Sequence, residues 1–351
     1  MQDRSGADGY SAMTQLDALQ KTGLRRLGRA KQGFHYAGAD GAKVGRGEVA
    51  RINGLRIPPA WRNVAVNRSA SAPVQAVGQD AAGRWQYLYH ENYTARRDRQ
   101  KFLRLLKFAE ALPNMRKVVT RELRKPGLGR ERVMACILRI LSTSFIRPGS
   151  QVYASENGSY GIATLRPKHV NFKGDLVQFD FKGKGQVPQH RELKDRQVAK
   201  VLRELLKHPS SEVFNYQNGD GDFVDIKRRH INDYVREVMG EGFSAKDFRT
   251  WAGTLICACA LARAGTHANE TKMSKKKKVV TAIRETAQIL GNTPAVCRSA
   301  YICPDVLDSF ERGKVIESCA KTVEELVNHR GARLHRAENA LLRLLKRKNK
   351  R

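Results

Sequence analysis

The sequence has no long hydrophobic segment, and this absence limits where the protein can act. No apolar run approaches the roughly 20 residues that a membrane-spanning helix needs. The N-terminus, Met1-Gln2-Asp3-Arg4, also lacks the apolar core of a signal peptide. We therefore expect a cytoplasmic protein that has no membrane partner.

The six cysteines lack the spacing of a metal site. The sequence contains no C-x-x-C pair, and no histidine follows a cysteine at a spacing typical of zinc ligands. We expect free thiols in a reducing compartment and no structural metal.

Acidic residues are few compared with basic ones. Asp and Glu total 34 against 65 Lys and Arg, and the formal net charge of +31 far exceeds what solubility requires. The basic residues are spread through segments with folded patterns, which indicates a groove that follows the phosphates of a nucleic acid. A ribosomal or architectural protein would carry a similar charge, so charge alone does not assign the function.

The sequence pattern divides the chain into a tail and two domains. Residues 1–22 are polar, and we expect a mobile tail. Over 23–95, short alternating runs separated by turn formers predict a small, mostly antiparallel β domain. Over 96–351, helical spacing dominates, and Pro113 is expected to end the first helix. The predicted fold class is therefore α+β, with a larger, mainly α domain that carries one small inserted sheet.

The second domain shows several separate periodic segments. Strands of the inserted sheet are predicted over 162–165 and 176–182. Helices are predicted over 133–141, 198–206, 231–239, 248–264 and 279–290. A helical spacing over 323–345 indicates either a packed helix with a basic end or an added DNA contact.

Three basic residues far apart in the sequence are suited to holding a phosphodiester. Arg147 precedes Pro148-Gly149, where a helix should end, and Lys184 lies between two glycines after a strand. Arg249 lies near the start of a strongly apolar helix, so its guanidinium should be held against the core. Each also has a plain interpretation. Arg147 could complement the dipole at a helix end or lie in solvent, Lys184 could be an ordinary turn residue, and Arg249 could form an ion pair with Asp247 or another acid.

Tyr301 follows a predicted corner between two helices. Gly291 suits the left-handed end of one helix, while Thr293 and Pro294 suit the cap and first position of the next. A tyrosine here could simply pack in the core. With an ordinary pKa near 10, it becomes a useful nucleophile only if cations favour the phenolate or a base removes the proton.

Ordered blocks of sequence surround these residues in both domains. Those of the second domain are Arg147-Pro148-Gly149-Ser150, Glu156-Asn157-Gly158-Ser159-Tyr160-Gly161-Ile162-Ala163-Thr164-Leu165, His169-Val170, Phe181-Lys182-Gly183-Lys184-Gly185, Lys246-Asp247-Phe248-Arg249-Thr250-Trp251, and Gly291-Asn292-Thr293-Pro294 leading to Tyr301. Those of the first domain are Ile57-Pro58-Pro59-Ala60-Trp61, Gln75-Ala76-Val77-Gly78-Gln79-Asp80 and Gln86-Tyr87-Leu88-Tyr89-His90. Together these blocks, which extend over 23–305, resemble the bacterial and poxvirus branch of the type IB DNA topoisomerases.

The resemblance implies a specific reaction. Tyr301 would attack a DNA phosphodiester, forming a 3′-phosphotyrosyl link and releasing a 5′-hydroxyl, before strand rotation and religation. Arg147 and Arg249 would bind the nonbridging oxygens, and Lys184 would act as general acid. Most relatives have histidine where Asn292 stands; asparagine donates a hydrogen bond but carries no charge, so we assign it to transition-state binding.

The resemblance also implies the partners of the protein. They are supercoiled double-stranded DNA, bound by a monomer that closes as a clamp in the cytoplasm at the nucleoid, without ATP, metal or another small-molecule cofactor. Further DNA contacts are predicted at Lys246, Tyr87, Tyr89, Tyr153, Lys275, Lys276, Lys277 and Lys278. The four consecutive lysines are expected in a loop that faces phosphates. For Tyr87 and Tyr89, packing within a strand is an equally good interpretation.

Two other functions are consistent with parts of the pattern. A tyrosine recombinase shares the catalytic plan but normally has histidine three residues before the second arginine, where this chain has Lys246. A DNA-binding protein that kept the clamp and lost the chemistry is the other alternative, and retention of Tyr301, both arginines and Lys184 argues against it.

Overall fold

The structure, a computed structural model, describes residues 15–267 and 269–349, with side chains up to residue 347. The chain divides into two compact units, Met1–Lys101 and Phe102–Arg351. The second unit begins at Phe102, inside the helix Glu91–Glu122. The sequence pattern predicts this boundary six residues earlier, at residue 96.

The first unit is built on a five-stranded antiparallel sheet. Its elements in chain order are α1 (15–22), β1 (Leu24–Arg29), β2 (Gly33–Ala37), α2 (Arg46–Gly54), β3 (Arg62–Val66), β4 (Val74–Gln79), β5 (Trp85–Tyr89) and the beginning of α3 (Glu91–Glu122). The strand order is β2-β1-β3-β4-β5, with antiparallel pairing throughout. The predicted antiparallel β domain is confirmed. Strand β1 was not predicted, because its arginine-rich sequence shows no clear alternation of apolar and polar residues.

The prediction of a mobile tail is wrong for residues 15–22. These residues form α1, and Leu19 is buried in a cluster with Ala65, Val74 and Val77 on one face of the sheet. The few apolar residues of this segment are enough to hold it as a helix, because it packs on an apolar face of the sheet. The first fourteen residues of the predicted tail lie outside the described residues.

The second unit is mainly helical and contains two small sheets. It continues with the rest of α3, then α4 (Arg130–Ser144), α5 (Gln151–Asn157), β6 (Val170–Lys173), β7 (Leu176–Lys182), β8 (Pro188–Lys194), α6 (Arg196–Leu205), β9 (Asn215–Gln217), β10 (Phe223–Asp225), α7 (Arg228–Met239), α8 (Ala245–Ala264), α9 (Lys272–Leu290), α10 (Pro294–Tyr301), α11 (Pro304–Glu311), α12 (Val323–Val327) and α13 (Arg336–Asn349). The predicted inserted sheet has the strand order β6-β7-β8. Strands β9 and β10 pair in a second sheet, which the sequence pattern did not predict because each strand has only three residues.

Helix α8 forms the centre of this unit. Every residue from 245 to 261 is buried except Lys246. Helices α4, α7, α9, α10, α11 and α13 all pack against it. A helix that is apolar on all sides is expected at such a position, and this helix carries Arg249 into the core.

Two local predictions in this unit are wrong. Pro113 lies inside α3 and does not end it, because the buried side chains Leu112 and Met115 continue the packed face past the proline. Residues Ile162–Thr164 form a 3₁₀ turn, not a strand. The short apolar run there reflects burial, which cannot by itself distinguish a strand from a turn.

Two further features complete the fold. All six cysteines are free thiols, as the sequence predicts, and the structure shows five of them buried and Cys319 partly exposed. Among the helices in the described part of the chain, none combines the length and apolarity needed to cross a membrane.

Candidate active site

The first turn of α8 fixes the position of Arg249. The backbone N–H and the hydroxyl of Ser244 both donate to the Asp247 carboxylate at 2.8 Å, which closes the N-terminus of the helix. Asp247 also forms a salt bridge of 3.2 Å with Arg104. Because Asp247 is engaged in this way, an ion pair between Asp247 and Arg249 is wrong as an interpretation of this segment.

Arg249 is held in the core by backbone carbonyl groups. Its side chain, only 2% exposed, donates to the carbonyl oxygens of Phe145 and, at 2.8 Å, of Leu290. Its Nε has no partner among the described residues. Burial and then the charge of Arg147 lower the pKa of Arg249 to about 10. The group therefore remains a cation at neutral pH, with donors left for a ligand.

Phe145 makes the contact to Arg249 through an unusual backbone conformation. It follows α4 with φ 58°, in the left-handed region that a bulky side chain rarely adopts. Such a residue costs on the order of 1–3 kcal/mol unless its surroundings stabilise it. Here its carbonyl accepts from a buried arginine, and the turn leads the chain directly to Arg147.

The loop that carries Arg147 is fixed by main-chain hydrogen bonds. Ile162 N–H donates to the Arg147 carbonyl at 2.8 Å, and Ala163 N–H donates to the Pro148 carbonyl at 2.9 Å. A Cβ at Gly161 would lie 2.6 Å from the Arg147 carbonyl oxygen, so only glycine permits this approach. Pro148 contributes its carbonyl as an acceptor and has no backbone N–H that needs a partner.

The predicted corner before Tyr301 is confirmed. Gly291 ends α9 in the left-handed conformation with φ 62°. Thr293 caps α10 through its side chain, and Pro294 occupies the first turn. Each residue adopts the conformation that its chemistry favours, and the corner turns α10 back against α8.

Asn292 lies in this corner and contacts the first arginine. The Arg147 guanidinium donates to Asn292 Oδ1 and, at 3.4 Å, to the Gly291 carbonyl. The Asn292 Nδ2 atom is buried and has no partner among the described residues. Since a buried amide donor is costly to leave unpaired, Nδ2 is suited to donating to a bound ligand.

Tyr301 ends α10 in close contact with α8. It is 8% exposed, and its carbonyl accepts from Thr254 Oγ1 at 3.1 Å. Gly253 allows the approach, because a Cβ there would lie 2.8 Å from the Tyr301 carbonyl oxygen. The Arg249 guanidinium carbon lies 5.0 Å from the centre of the Tyr301 ring. The phenol is therefore positioned beside the buried cation.

The surrounding charges act on the Tyr301 phenol. Burial raises its pKa, but the positive charges of Arg249, Arg147 and Lys246 outweigh burial, and the pKa falls below its ordinary value. Lys246 is exposed in the first turn of α8. In the described chain, neither Arg147 nor Arg249 forms a salt bridge with a carboxylate. A site whose two arginines have no carboxylate partner among the described residues is suited to a polyanion and to a phenolate.

Lys184 lies at the tip of the β7–β8 hairpin, as predicted, with its side chain exposed. The structure joins Arg147, Arg249, Asn292 and Tyr301 through contacts but shows no direct contact from Lys184 to them. The hairpin nevertheless approaches the corner. A Cβ at Gly183 would lie 2.8 Å from Gln189 Cγ, and a Cβ at Gly291 would lie 2.6 Å from Gln189 Oε1.

Comparison with known proteins agrees with this geometry. The family model "Bacterial DNA topoisomerase IB, N-terminal domain" matches residues 33–80, and the model "Eukaryotic DNA topoisomerase I, catalytic core" matches residues 90–330. The chain belongs to the type IB DNA topoisomerases. Members of this family are isomerases, and this chain is an enzyme of that class.

Several viral proteins are similar to this family member. The DNA topoisomerase 1B of Acanthamoeba polyphaga mimivirus is 31% identical over 294 residues, which is 82% of this chain and 88% of the viral protein. The DNA topoisomerase 1B of Vaccinia virus (strain Copenhagen) is 23% identical over 249 residues, or 70% of this chain and 75% of the viral protein.

The other predicted DNA contacts of this type IB family member have varied surroundings. Tyr153 on α5 is 41% exposed. Tyr87 and Tyr89 lie partly buried in the edge strand β5, with stacked rings 6.1 Å apart, and pack against the cluster around Leu19 and Val77. Packing within the first unit therefore accounts for the partly buried positions of Tyr87 and Tyr89.

The lysine run does not form a loop, so that prediction is wrong. All four residues lie in the first half of α9, whose N-terminus is capped by Thr271. Lys278 pairs with Glu270 at 2.9 Å, and Lys275 donates to the Glu311 carbonyl at 3.3 Å. The other two lysines, 276 and 277, are exposed.

The sequence analysis missed Gln189 and Arg191 of β8. Both belong to the same strand face as the buried Leu193, and they lie beside the corner at Gly291. The available signal was the alternation of β7, whose pairing with β8 places these residues inward. The polar composition of β8 concealed that alternation.

Proposed function

We propose that this enzyme relaxes supercoiled duplex DNA by cutting and resealing one strand through a 3′-phosphotyrosyl intermediate. The observation that carries the proposal is the buried Tyr301 ring 5.0 Å from the Arg249 guanidinium. Arg147 lies on the adjoining corner, in contact with Asn292. Family membership supports duplex DNA as the substrate.

Cleavage is one displacement at phosphorus. The Tyr301 phenol loses its proton to solvent water and the phenolate oxygen attacks phosphorus. The bond from phosphorus to the 5′ oxygen breaks, and Lys184 donates a proton to the departing oxygen. Arg147 and Arg249 bind the nonbridging oxygens, whose negative charge grows in the transition state. The unpaired Nδ2 of Asn292 donates a further hydrogen bond to the same phosphate.

Each residue assigned to the reaction has a hydrogen-bond donor that is available to the phosphate. Arg249 has five N–H donors, and backbone carbonyls accept from only Nη1 and Nη2, while Nε has no partner among the described residues. Lys184 is exposed at the tip of the β7–β8 hairpin, and Gln189 of the same hairpin lies beside Gly291. Religation is the reverse displacement by the 5′-hydroxyl. The phosphotyrosyl ester conserves the energy of the cleaved bond, so the proposed cycle requires neither ATP nor a metal ion.

Binding extends beyond the reacting phosphate in this proposal. The protein acts as a monomer that closes as a clamp on DNA, at the nucleoid of the cytoplasm. The residues proposed to contact DNA are Lys246, Tyr87, Tyr89, Tyr153, Lys276 and Lys277, all of them exposed or partly exposed. Lys275 and Lys278 already have protein partners and contribute mainly to the local charge.

The test is relaxation of supercoiled plasmid in EDTA without ATP, with covalent complexes trapped by detergent. The intact protein should relax plasmid and form covalent complexes, and Tyr301→Phe should do neither while still binding DNA. Tyr216→Phe, which removes a phenol hydroxyl in β9, is the matched control and should behave as the intact protein does.

Two other results would replace the proposal. Joining of two specific duplex sites without relaxation of ordinary plasmid would indicate a recombinase. DNA binding by the intact protein without any covalent complex would indicate a clamp that has lost its chemistry.

A further inference from the structure

Strand β8 places an arginine on the inner face of its sheet. Arg191 pairs with Phe179 across the strands, and Gln189 pairs with Phe181. Both phenylalanines are buried, as is Leu193, the next inward residue of β8. Arg191 therefore occupies a position where strand alternation normally puts an apolar side chain.

The Arg191 side chain is directed toward the corner at Gly291. Its Nη1 donates to the His190 carbonyl at 3.1 Å, and its Nη2 donates to Gln189 Oε1 at 2.9 Å. A Cβ at Gly291 would lie 3.1 Å from the same Nη2. Arg147 donates to the Gly291 carbonyl at 3.4 Å, so the two arginines approach one residue from different elements.

The positive charge of Arg191 has no acidic partner among the described residues. In the part of the chain that the structure describes, it forms no salt bridge, and its buried Nε has no partner. Burial and the charge of Arg147 lower the pKa of Arg191, while Arg191 in turn adds to the positive charge around Arg249. An unpaired, desolvated cation beside two others destabilises the folded protein. A bound anion would remove that cost.

We propose that Arg191 binds the scissile phosphodiester together with Arg147, with Gln189 holding its guanidinium in place. This proposal rests on the proposed cleavage of DNA by Tyr301. Arg191 is then a DNA-contacting residue, and the missing side chain at Gly291 leaves room for its Nη2. The uncompensated charge of Arg191 lowers the stability of the free protein, and bound phosphate removes that destabilisation.

The first test compares single-turnover cleavage and thermal unfolding of the full-length protein and of Arg191→Met. Cleavage by the variant should be about 100-fold slower or more, in line with the loss of one donor to a developing oxyanion. Its Tm should equal or exceed that of the wild type, because an uncompensated charge is removed. Arg191→Lys should recover part of the rate. Arg124→Met, which removes an exposed arginine in the turn that follows α3, controls for net charge.

The second test identifies the phosphate. A duplex with a neutral methylphosphonate at the scissile position should be cleaved equally slowly by wild type and Arg191→Met, because the charge that Arg191 recognises is absent. With the methylphosphonate at the next phosphate, the difference between the proteins should persist.

Four outcomes overturn the inference. In the first, Arg191→Met cleaves at the wild-type rate. In the second, the Met and Lys variants are equally slow and both melt earlier, which indicates a packing role. In the third, the difference disappears only with the neighbouring phosphate neutralised. In the fourth, the wild type forms no covalent complex, and this result alone also contradicts the proposed function.

Discussion

Replacing Gly253 with alanine tests how closely α10 must approach α8. The new Cβ would lie 2.8 Å from the Tyr301 carbonyl oxygen, 3.0 Å from Tyr301 Cβ and 3.1 Å from Leu290 Cδ1. Ordinary contacts begin at 3.4 Å, so the backbone of Tyr301 must move by about 0.6 Å. That movement also stretches the hydrogen bond from Thr254 to the Tyr301 carbonyl, which is 3.1 Å long.

Two opposing effects determine the stability of Gly253→Ala. Alanine gains about 1 kcal/mol over glycine inside a helix, while overpacking costs about 1–3 kcal/mol. The net loss should therefore be no more than about 2 kcal/mol, and the protein should stay folded. The rate should respond more strongly, because a displacement of about 1 Å at a reacting group can cost roughly a hundredfold. For the smaller shift here, we expect cleavage to be about 10-fold slower or more.

The assay is single-turnover cleavage of a duplex whose short leaving strand dissociates, measured together with thermal unfolding. Gly47→Ala is the matched control, because Gly47 is also helical and a Cβ there meets nothing within 4 Å. The control should cleave at the wild-type rate. If a folded Gly253→Ala protein also does so, the argument that this contact positions Tyr301 is refuted.

Three further predictions follow from the same structure. Lys246→Met should raise the pKa of Tyr301 and move the rising limb of the cleavage rate to higher pH, since the phenolate fraction grows as pH rises through that pKa; an unchanged pH profile would show that Lys246 does not act on the phenol. Asn292→Asp should pair with Arg147 and repel phosphate, lowering the single-turnover rate about a hundredfold without lowering Tm, whereas a wild-type rate would remove Asn292 from the site. Pro113→Ala restores a backbone donor inside α3 and should stabilise the protein by up to about 3 kcal/mol in denaturant titration; a lower midpoint would mean that the ring packs better than alanine does.

Local chemistry explains which parts of the site the sequence could predict. The corner at Gly291, Thr293 and Pro294 was predictable because each residue favours the conformation it adopts. The buried position of Arg249 was predictable because the helix around it is apolar on all sides. These inferences depend on neighbours in the sequence and need no knowledge of the tertiary packing.

The parts that could not be predicted depend on packing between distant segments. Arg191 is inward only because β8 pairs in register with β7. Phe145 adopts its left-handed conformation where its carbonyl meets Arg249, a contact across 104 positions. Pro113 remains helical because a continuous buried face of α3 outweighs its local preference to end a helix. Leu19 likewise becomes a core residue through the sheet it packs on.

The central claim is that Tyr301 becomes covalently joined to the 3′ end of a cut DNA strand. The most direct measurement traps the complex on a duplex labelled on the 5′ side of the break, digests it with trypsin and sequences the DNA-linked peptide by mass spectrometry. Our account predicts that the strand is attached through its 3′ phosphate to Tyr301, within the peptide 299–312. Attachment to another residue, attachment through a 5′ phosphate, or no linked peptide would contradict it.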